Sequence, residues 1–483
     1  MSTKYDVCVI GAGPGGYVAA IRSAQLGLKT AIVEREYLGG VCLNVGCIPS
    51  KAMITAAHFL HRAQHDAPEM GINIKGIDLD MKKLVGWKQS VSDRMAKGVE
   101  QLLKGNKVEI ISGVAKFKTT KQLEVKSSKE NQLIEADKFI VATGSRPIAI
   151  PGFAIDEDEV CSSTGALAME TLPKKVVVIG GGYIGLEISS YLAKLGSEVE
   201  ILEAGKTLLA GVADKDCVQV VARKLKKLGV KIHYGAFAKK YTKKGKSFEV
   251  SAEVDGSMKT FSSDKILLTV GRKPNSDEMG LKEIGIHIDD HGFVKVDPQM
   301  RTNHANIFAI GDIAGQPMLA HKASHEAVLA AEVIAGHNRV YDAKTVPAVI
   351  FTDPEIASAG MLEEECKSVG YNDLKIGKFP FAANGRAVSM MESEGFIKMI
   401  ADSKTNILLG VHIVGPEASN LISEAVLAIE MGARLEDLAL SIHPHPTLGE
   451  TMMEAAEATL GHAIHMIQKP LKSSGSKSPS ARA

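Results

Sequence analysis

The sequence predicts an α/β fold in which two similar βαβ units are followed by a C-terminal α+β domain. The first unit opens with an apolar strand at residues 5–10, followed at once by a glycine-rich turn and a helical pattern. The same order returns at residue 175. From about residue 346 no such turn occurs, and short strand patterns mix with helical ones. We therefore expect two Rossmann-like dinucleotide-binding domains and a third domain of another kind.

The first glycine-rich turn has the spacing G-x-G-x-x-G at Gly11, Gly13 and Gly16. Glycines here permit a tight turn and let backbone N–H groups approach a pyrophosphate at the start of the helix. The next strand, at 30–33, ends on Glu34, which is placed to accept hydrogen bonds from a ribose. A glycine pattern alone is weak, but strand, helix and acid in this order predict a dinucleotide site.

The second turn repeats this spacing at Gly180, Gly182 and Gly185, and the following strand, at 198–202, ends on Glu203. In both units the acid lies 23 residues after the first glycine. Two matched units predict two bound dinucleotides. Because a carboxylate would repel a 2′-phosphate, Glu203 favours NAD over NADP for the second nucleotide.

The segment 39–51 carries a pair of cysteines, Cys42 and Cys47. A straight strand would hold their Cα atoms about 17 Å apart, and a regular helix would turn them about 140° from each other. A disulfide needs Cα atoms within about 7 Å, so it would require a distorted backbone, which Gly46 and Pro49 can supply. A close pair at a helix entry is typical of a redox-active disulfide. Two buried reduced thiols, or half of a zinc site, remain alternatives.

Composition limits the other classes of function. The 483 residues are 45% hydrophobic and carry a net charge of +1, so no nucleic-acid partner is expected. Six cysteines are too few for a disulfide-stapled secreted protein. The sequence shows neither a signal peptide nor a run of about 20 apolar residues. We expect a cytoplasmic protein without a membrane span.

The remaining patterns give the order of the elements. Helices are predicted at 17–27, 48–60, 82–104, 214–228, 318–336, 417–432 and 435–441, and a last helix is predicted to end near 468. Strands are predicted at 108–113, 122–125, 138–141, 265–270, 307–310, 347–351, 395–401 and 410–414. The turns after the strands at 138–141 and 265–270 are further places where the backbone can pass close to a cofactor. Asp312, after the strand at 307–310, can hydrogen-bond a polyol or merely cap the helix predicted from 318.

The segment 443–450 holds the second chemically distinctive motif. Thr447 and Glu450 fit a capping box, which would be a structural role. His445 and Glu450 could instead form an acid/base pair in which the carboxylate orients the imidazole. Metal binding by His443 and His445 is disfavoured because nothing nearby completes a site, and no metal is expected.

Taken together, the segments 11–16, 39–51, 180–187, 302–312 and 443–450 resemble the flavin-dependent disulfide oxidoreductases, in particular the dihydrolipoyl dehydrogenases. The resemblance covers about residues 4–468. It implies an FAD-binding domain at 1–147, an NAD-binding domain at 148–275, a central domain at 276–345 that completes the FAD site, a dimerisation domain at 346–470 and a disordered tail at 471–483.

The resemblance also implies which residues act. Cys42 and Cys47 would form the redox disulfide, with Cys42 exchanging with the substrate thiol and Cys47 contacting the flavin. Lys51 would lie near the flavin and pair with Glu187, for which the residues alone leave a solvated helix charge as the alternative. His445 would be the acid/base, oriented by Glu450 and delivered from the partner subunit. The expected FAD- and NAD-binding residues are Gly11, Gly13, Pro14, Gly15, Gly16, Glu34, Gly40, Lys51, Gly113, Thr143, Gly144, Ser145, Gly180, Gly182, Tyr183, Ile184, Gly185, Glu203, Gly271, Gly311, Asp312, Met318, Leu319, Ala320 and His321.

The implied reaction is oxidation of protein-bound dihydrolipoamide to lipoamide, with electrons passing through the disulfide and FAD to NAD⁺. The expected partners are a second copy of the chain and the lipoyl-bearing subunits of 2-oxoacid dehydrogenase complexes or of glycine cleavage. Glutathione-type reductases usually have basic residues where Glu203 stands, and mercuric reductases have C-terminal cysteines, which are absent after Cys366. A flavin-bearing scaffold without turnover would require a broken relay, and the relay residues are all present.

Overall fold

The computed structural model describes residues 3–127 and 131–468, and the tail expected at 471–483 lies outside them. The described residues divide into two compact units. The first contains residues up to 208 and 226–342, and the second contains 209–225 and the residues from 343 onward. The segment 209–225 therefore groups with the C-terminal residues, although it lies inside the predicted NAD-binding domain. The domain limits themselves stay predictions.

The elements follow the chain in this order. The strands are β1 (Thr3–Ile10), β2 (Thr30–Glu34), β3 (Glu109–Ser112), β4 (Val114–Thr119), β5 (Gln122–Lys126), β6 (Asn131–Val141), β7 (Ser145–Pro147), β8 (Val160–Cys161), β9 (Lys175–Ile179), β10 (Glu198–Leu202), β11 (Lys231–His233), β12 (Ala236–Lys244), β13 (Ser247–Val254), β14 (Ser257–Ser263), β15 (Lys265–Leu268), β16 (Arg272–Pro274), β17 (Ile307–Ala309), β18 (Ala348–Ile350), β19 (Glu355–Gly360), β20 (Leu374–Pro380), β21 (Phe396–Asp402) and β22 (Leu408–Gly415). The helices are α1 (Pro14–Gln25), α2 (Gly40–Val45), α3 (Cys47–Glu69), α4 (Met81–Gly105), α5 (Ser163–Leu167), α6 (Tyr183–Leu195), α7 (Lys215–Lys227), α8 (Ala320–Ile334), α9 (Glu363–Ser368), α10 (Gly385–Ser389), α11 (Ala418–Met431), α12 (Leu435–Ala439) and α13 (Glu450–Leu460). Short 3₁₀ helices lie at Gly311–Ile313 and Phe381–Ala383.

The first sheet has seven strands in the order β3-β2-β1-β6-β5-β4, with β17 also paired to β6. β1, β2, β3, β6 and β17 are parallel. Their central parts, at 7–10, 31–33, 139–141 and 307–309, are continuously apolar and buried. Both faces of the sheet are covered there, one of them by α1, α4 and α8. Parallel strands joined through a helix on the sheet face are the predicted βαβ arrangement.

The sheet of the second βαβ unit has the strand order β11-β10-β9-β15-β8, and all its strands are parallel. The antiparallel sheet β12-β13-β14 packs on it, because alternate residues of β13, including Phe248, Val250 and Ala252, share a core with Val177 and Leu202. β7 pairs with β16 and joins the chain segments that leave the two sheets. The predicted fold class of two Rossmann-like domains is confirmed.

The second unit is built on the antiparallel sheet β18-β19-β22-β21-β20, with α11 and α13 in its core. The interior strand β21 contains Lys398, which is 1% exposed. Its Nζ lies 2.7 Å from Asp214 Oδ2 and 3.1 Å from Asp216 Oδ2. A buried ammonium requires such partners, so these ion pairs account for the grouping of 209–225 with this sheet.

Candidate active site

The carboxyl ends of the parallel strands meet at one edge of the seven-stranded sheet. Ligands of open α/β sheets bind at this edge. The predicted cofactor-binding residues at or just beyond these ends are Gly11, Glu34, Gly113, Thr143, Gly144, Gly311 and Asp312. A cleft there is lined by several of them, namely Gly11, Glu34, Gly113 and Thr143, together with Asn275. The fold therefore brings together residues that are up to 300 positions apart in sequence.

The two glycine-rich turns lead into helices whose starts no side chain caps. α1 begins at Pro14 after Gly13, and α6 begins at Tyr183 after Gly182. A Cβ at Gly13 would meet no atom within 4 Å, and one at Gly182 would meet only the Thr269 carbonyl oxygen, at 4.0 Å. The protein thus leaves open space beside the second glycine of each turn, at helix ends that attract anions. This arrangement suits a pyrophosphate.

Glu34 and Glu203 occupy matching positions in the two units. Glu34 Oε2 accepts the N–H of Ala12 at 2.7 Å, and Glu203 Oε2 accepts the N–H of Gly181 at 2.6 Å. Each carboxylate also accepts the N–H two residues further along the chain, at 2.9 and 2.5 Å. The equal sequence spacing therefore corresponds to equal geometry, with each acid held against its own glycine-rich turn.

Cys42 and Cys47 lie on either side of a break between two helices. α2 ends at Val45, Gly46 interrupts the helical backbone, and α3 begins at Cys47. Both cysteines are thiols in the structure, and their side chains are hydrogen-bonded to each other. The predicted distortion at Gly46 is present, and it brings the two sulfur atoms together.

The cysteine segment contacts the first glycine-rich turn directly. The N–H of Gly39 donates to the Ala12 carbonyl oxygen at 2.8 Å. A Cβ at Gly40 would lie only 2.7 Å from the Cα of Gly13, so the two backbones approach as closely as glycine allows. The thiol pair is therefore held beside the predicted pyrophosphate site.

The two thiols have very different acidities. The hydrogen bond from Cys42 and the nearby Lys51 ammonium lower the pKa of Cys47 to about 7 from its ordinary value of 9.0. The same hydrogen bond, together with burial, raises the pKa of Cys42 well above its usual range. Cys47 also stands at the first position of a 23-residue helix, where a thiolate is favoured. Of the two, Cys47 is therefore the thiol that ionises near neutral pH, while Cys42 stays protonated.

Lys51 and Glu187 form an ion pair between α3 and α6, with Nζ 2.9 Å from Oε2. Glu187 is 5% exposed. The sequence suggested a solvated helix charge as the alternative for Glu187, and its burial excludes that alternative. The resemblance implied this contact, and the structure contains it.

His445 and Glu450 form a pair in the second unit. Nδ1 of His445 lies 2.9 Å from Glu450 Oε1, while Glu450 Oε2 accepts the Thr447 N–H at 2.8 Å. The Thr447 hydroxyl donates to the Pro444 carbonyl oxygen and does not cap α13. Only half of a capping box is therefore formed, and the same carboxylate also orients the histidine. Burial raises the pKa of Glu450, but the hydrogen bonds from Thr447 and His445 outweigh this effect and lower the pKa below its ordinary value.

The other predicted residues lie at element ends of the first unit. Pro14, Gly15 and Gly16 form the first turn of α1, and Tyr183, Ile184 and Gly185 form that of α6; Gly180 follows β9, Gly271 precedes β16, Ser145 opens β7, Met318 and Leu319 precede α8, and Ala320 and His321 begin it. Asp312 Oδ2 accepts the Ser145 hydroxyl at 2.5 Å. The structure thus brings the predicted nucleotide-binding residues to the two sheets' carboxyl ends and the histidine pair to the other unit.

Comparison with known proteins identifies the family. Residues 5–327 match the model of the pyridine nucleotide-disulphide oxidoreductases, and residues 346–456 match the dimerisation domain of the same family. The chain belongs to the pyridine nucleotide-disulphide oxidoreductase family. The resemblance stated from the motifs is confirmed.

Similar members of this family include proteins named dihydrolipoyl dehydrogenase. The one from Bacillus subtilis is 50% identical over 96% of this chain and 98% of its own length. The one from Geobacillus stearothermophilus is 48% identical over the same shares, and the one from Halobacterium salinarum is 47% identical over 97% and 99%.

Two solved structures have a similar fold. The HOCl-induced flavoprotein disulfide reductase RclA from Escherichia coli is 27% identical, with a TM-score of 0.83 over 94% of this chain and 99% of that one. LpdA from Mycobacterium tuberculosis is 24% identical, with a TM-score of 0.86 over the same shares, and this likeness shows the fold alone.

Pyridine nucleotide-disulphide oxidoreductases use FAD and NAD, as the two glycine-rich units predicted. The residues at the two glycine-rich turns fit both cofactors, FAD and NAD. Besides the open space at each second glycine, Asp312 has a carboxylate oxygen, Oδ1, that accepts no hydrogen bond from the described residues. An acceptor beside the first glycine-rich turn suits a polyol hydroxyl of FAD.

Sequence reasoning missed three residues of this site. Asn275 donates to the Thr143 carbonyl oxygen at 2.9 Å and so ties the turn after β6 to the segment after β16. Lys322 and Glu326 form a buried ion pair, with Nζ 2.7 Å from Oε1, and Glu326 also binds the N–H of Gly311, next to Asp312. An Asn after a Gly-Arg-Lys-Pro turn carries no strong signal, and a Lys–Glu pair four residues apart on a helix usually indicates an exposed face.

Neither a metal cluster nor a clear membrane span emerges from the described part of the chain. Within it, no group of three or more His, Cys, Asp or Glu side chains could hold a metal ion. One stretch there, 40–69, is long and apolar enough to cross a membrane by length and composition alone. This stretch consists of two helices, α2 and α3, separated at Gly46, and it packs against α6 and α4. A single stretch of this kind is weak evidence of a membrane span.

Proposed function

We propose that this chain is a dihydrolipoyl dehydrogenase, which oxidises protein-bound dihydrolipoamide to lipoamide while reducing NAD⁺ to NADH. The observation that carries the proposal is the unequal thiol pair, with a low pKa at Cys47 and a raised pKa at Cys42. The names of the relatives at 47–50% identity support the substrate. Such a pair suits exchange with a dithiol.

A dithiol substrate would reduce the pair, in its disulfide form, by two exchanges. One substrate thiolate attacks Sγ of Cys42, the Cys42–Cys47 bond breaks, and Cys47 leaves with the electron pair as a thiolate. A thiol of low pKa is the better leaving group, so the low pKa of Cys47 directs attack to Cys42. The second substrate thiol then loses its proton and attacks the substrate sulfur of the mixed disulfide, which forms lipoamide and releases Cys42.

The raised pKa of Cys42 creates a need for an acid and a base. When its bond to the substrate breaks, Cys42 needs a proton, and the second substrate thiol must lose one. His445 can move this proton because an imidazole can both accept and donate one, and Glu450, with Oε1 2.9 Å from Nδ1, orients the ring. Thus a single histidine can accept the proton from the substrate and deliver it to Cys42.

We place His445 beside the disulfide of a partner subunit. Two facts support a shared site: the cysteines and His445 belong to different units of the chain, and residues 346–456 match a dimerisation domain. The working form would then be a homodimer with two equivalent sites.

The remaining roles concern the cofactors. Bound FAD supplies the two-electron carrier between the dithiol and NAD⁺. Lys51, held by Glu187, stabilises the Cys47 thiolate, and Asp312 and the first glycine-rich turn bind FAD. Glu203 accepts hydrogen bonds from the ribose of NAD, at the second turn.

The expected partners are the lipoyl-bearing subunits of 2-oxoacid dehydrogenase complexes or the lipoyl protein of glycine cleavage. A cytoplasmic location is also proposed, since four cysteines, Cys8, Cys161, Cys217 and Cys366, are buried thiols without a partner for a disulfide. Such thiols are typical of a reducing compartment.

The test is a steady-state assay of flavin-loaded protein with dihydrolipoamide and NAD⁺, alongside glutathione disulfide and NADPH. Turnover of the first pair, lost in Cys42→Ser and retained in the matched variant Cys161→Ser, is the expected result. Turnover of the second pair alone would place the chain in a different branch of the family.

A further inference from the structure

α8 contains an ion pair on its buried face, where a helix normally has apolar side chains. The helix is rich in alanine, and its buried residues include Lys322, at 8% exposure, and Glu326, at 4%. Their side chains lie one turn apart, with Nζ 2.7 Å from Oε1. Because removing two charges from water is costly, such a pair needs further hydrogen bonds to be retained.

Both partners also bind the backbone of one short segment, 311–315. Glu326 Oε2 accepts the N–H of Gly311 at 2.7 Å, and Lys322 Nζ donates to the Gly315 carbonyl oxygen at 3.3 Å. The ion pair therefore holds the two ends of this segment. Both ends have positive φ, 74° at Gly311 and 151° at Gly315, a backbone that glycine adopts without strain.

The segment held in this way carries Asp312. From the other side, Ser145 donates its hydroxyl hydrogen to Asp312 Oδ2, and Arg272 Nε donates to Ser145 Oγ at 2.8 Å. The carboxylate is thus fixed on one oxygen, while Oδ1 accepts nothing from the described residues. The backbone behind it rests on the Lys322–Glu326 pair.

We propose that Lys322 and Glu326 are positioning residues for the flavin. They act through the backbone that they hold. They fix the segment 311–315 so that Asp312 presents its free oxygen to a hydroxyl of the polyol chain of FAD. This inference rests on the proposed use of FAD, and it adds a buried ionic support that sets the affinity for the cofactor.

The experiment measures the affinity of apoprotein for FAD by quenching of flavin fluorescence, in parallel with the thermal unfolding of the same apoprotein. The variants are Glu326→Gln and Lys322→Met, with Lys322→Arg as the conservative change. The matched control is Glu332→Gln on the same helix, because Glu332 is 7% exposed and pairs with Arg22 at 2.6 Å, away from the segment.

Glu326→Gln and Lys322→Met should each raise the Kd for FAD about tenfold or more, as expected for loss of a charged hydrogen bond. Lys322→Arg should restore most of the affinity, and Glu332→Gln should lower the melting temperature without changing the Kd. A purely structural role would instead lower the melting temperature in all these variants and leave the Kd unchanged, and that result would overturn the proposal.

A double variant, Lys322→Met with Glu326→Gln, removes both charges together and covers the case in which a single change prevents folding. Weak FAD binding by this folded variant supports the inference, and wild-type affinity refutes it. If unsubstituted apoprotein takes up no FAD, the assignment of FAD itself is wrong. If unsubstituted apoprotein binds FAD and the variants bind it equally well, only the positioning role of Lys322 and Glu326 is wrong.

Discussion

Nζ of Lys51 lies 2.9 Å from Oε2 of Glu187, and this ion pair connects the helix that begins at Cys47 to the helix that begins at Tyr183. The two charges act on the Cys47 thiol in opposite directions. The ammonium lowers the pKa of Cys47, and the carboxylate raises it. The pair thus sets the acidity of the thiol while linking the redox helix to the second glycine-rich unit.

We expect Glu187→Gln to lower the pKa of Cys47 further and Lys51→Met to raise it. Each change removes one of two opposing charges near the thiol. Ultraviolet absorbance of the thiolate, titrated against pH in reduced apoprotein, measures both shifts. Lys194→Met is the control, because Lys194 is a buried lysine of α6 that lies beside His58. Shifts of the same sign in the two test variants would contradict this electrostatic account.

The stability of the reduced protein should depend on pH through Cys47. Its folded pKa, about 7, is below the ordinary value of 9.0. The thiolate therefore stabilises the folded state fully above pH 9, and this contribution is lost as the pH falls through the interval from 9 to 7. The melting temperature of reduced protein, minus that of reduced Cys47→Ser, should rise between pH 7 and 9. The melting temperature of oxidised unsubstituted protein, minus that of the same Cys47→Ser variant, should stay flat, since the Cys42–Cys47 disulfide does not titrate.

Glu203→Ala should lower the preference for NAD⁺ over NADP⁺ by about tenfold or more, which is the effect expected from the loss of one charged interaction. The preference is measured as the ratio of the two kcat/KM values. Removal of the carboxylate ends its repulsion of a 2′-phosphate and frees the N–H of Gly181. Glu34→Ala is the matched control, because Glu34 makes the same contacts in the first unit. It should weaken FAD binding and leave the nucleotide ratio unchanged. An unaltered ratio in Glu203→Ala would show that another group discriminates.

His445→Gln should lower kcat by about 10²–10⁴-fold, the usual contribution of a positioned acid/base group. The matched control is His443→Gln, since His443 lies two residues away and also pairs with a carboxylate, that of Glu424, at 3.0 Å. The control should retain activity. Equal losses in the two variants would indicate a structural role for the whole segment. Thermal unfolding of both variants separates the two explanations.

The sequence was sufficient where short-range rules decide the structure. A buried strand, a glycine-rich turn and a helix follow one another locally, and the acid 23 residues after the first glycine, at Glu34 and at Glu203, needs no distant contact. The break at Gly46 was predicted for the same reason. The family motif then supplied the pairing of Lys51 with Glu187, which local rules could not.

Distant packing decided the features that were missed. The pattern of 214–228 predicted a helix that covers the sheet of its own βαβ unit, but not the contact of Asp214 with Lys398 of β21. β12 was not predicted. Four lysines among its nine residues, including Lys243 and Lys244, interrupt the apolar pattern, although they lie on a strand paired with β13. The last helix ends at Leu460, earlier than predicted, because Gly461 adopts φ of 87°.

The last prediction concerns a site shared between subunits. Cys42 belongs to the first unit and His445 to the second, about 400 residues later in sequence. Pro444 and Pro446 fix φ on both sides of the histidine, so it stands on a stiff segment, and its side chain is 79% exposed. Such a group can serve a neighbouring chain.

Two inactive variants, Cys42→Ser and His445→Gln, should therefore complement each other when their subunits are exchanged. In a mixed dimer, one site takes its disulfide from the His445→Gln chain and its histidine from the Cys42→Ser chain, so that site is intact. The other site lacks both groups. Activity should appear in proportion to the mixed dimer, whose amount native mass spectrometry gives, and should approach half that of the unsubstituted protein. If mixed dimers form and stay as inactive as their parents, each chain must use its own histidine, and the shared-site arrangement is wrong for this protein.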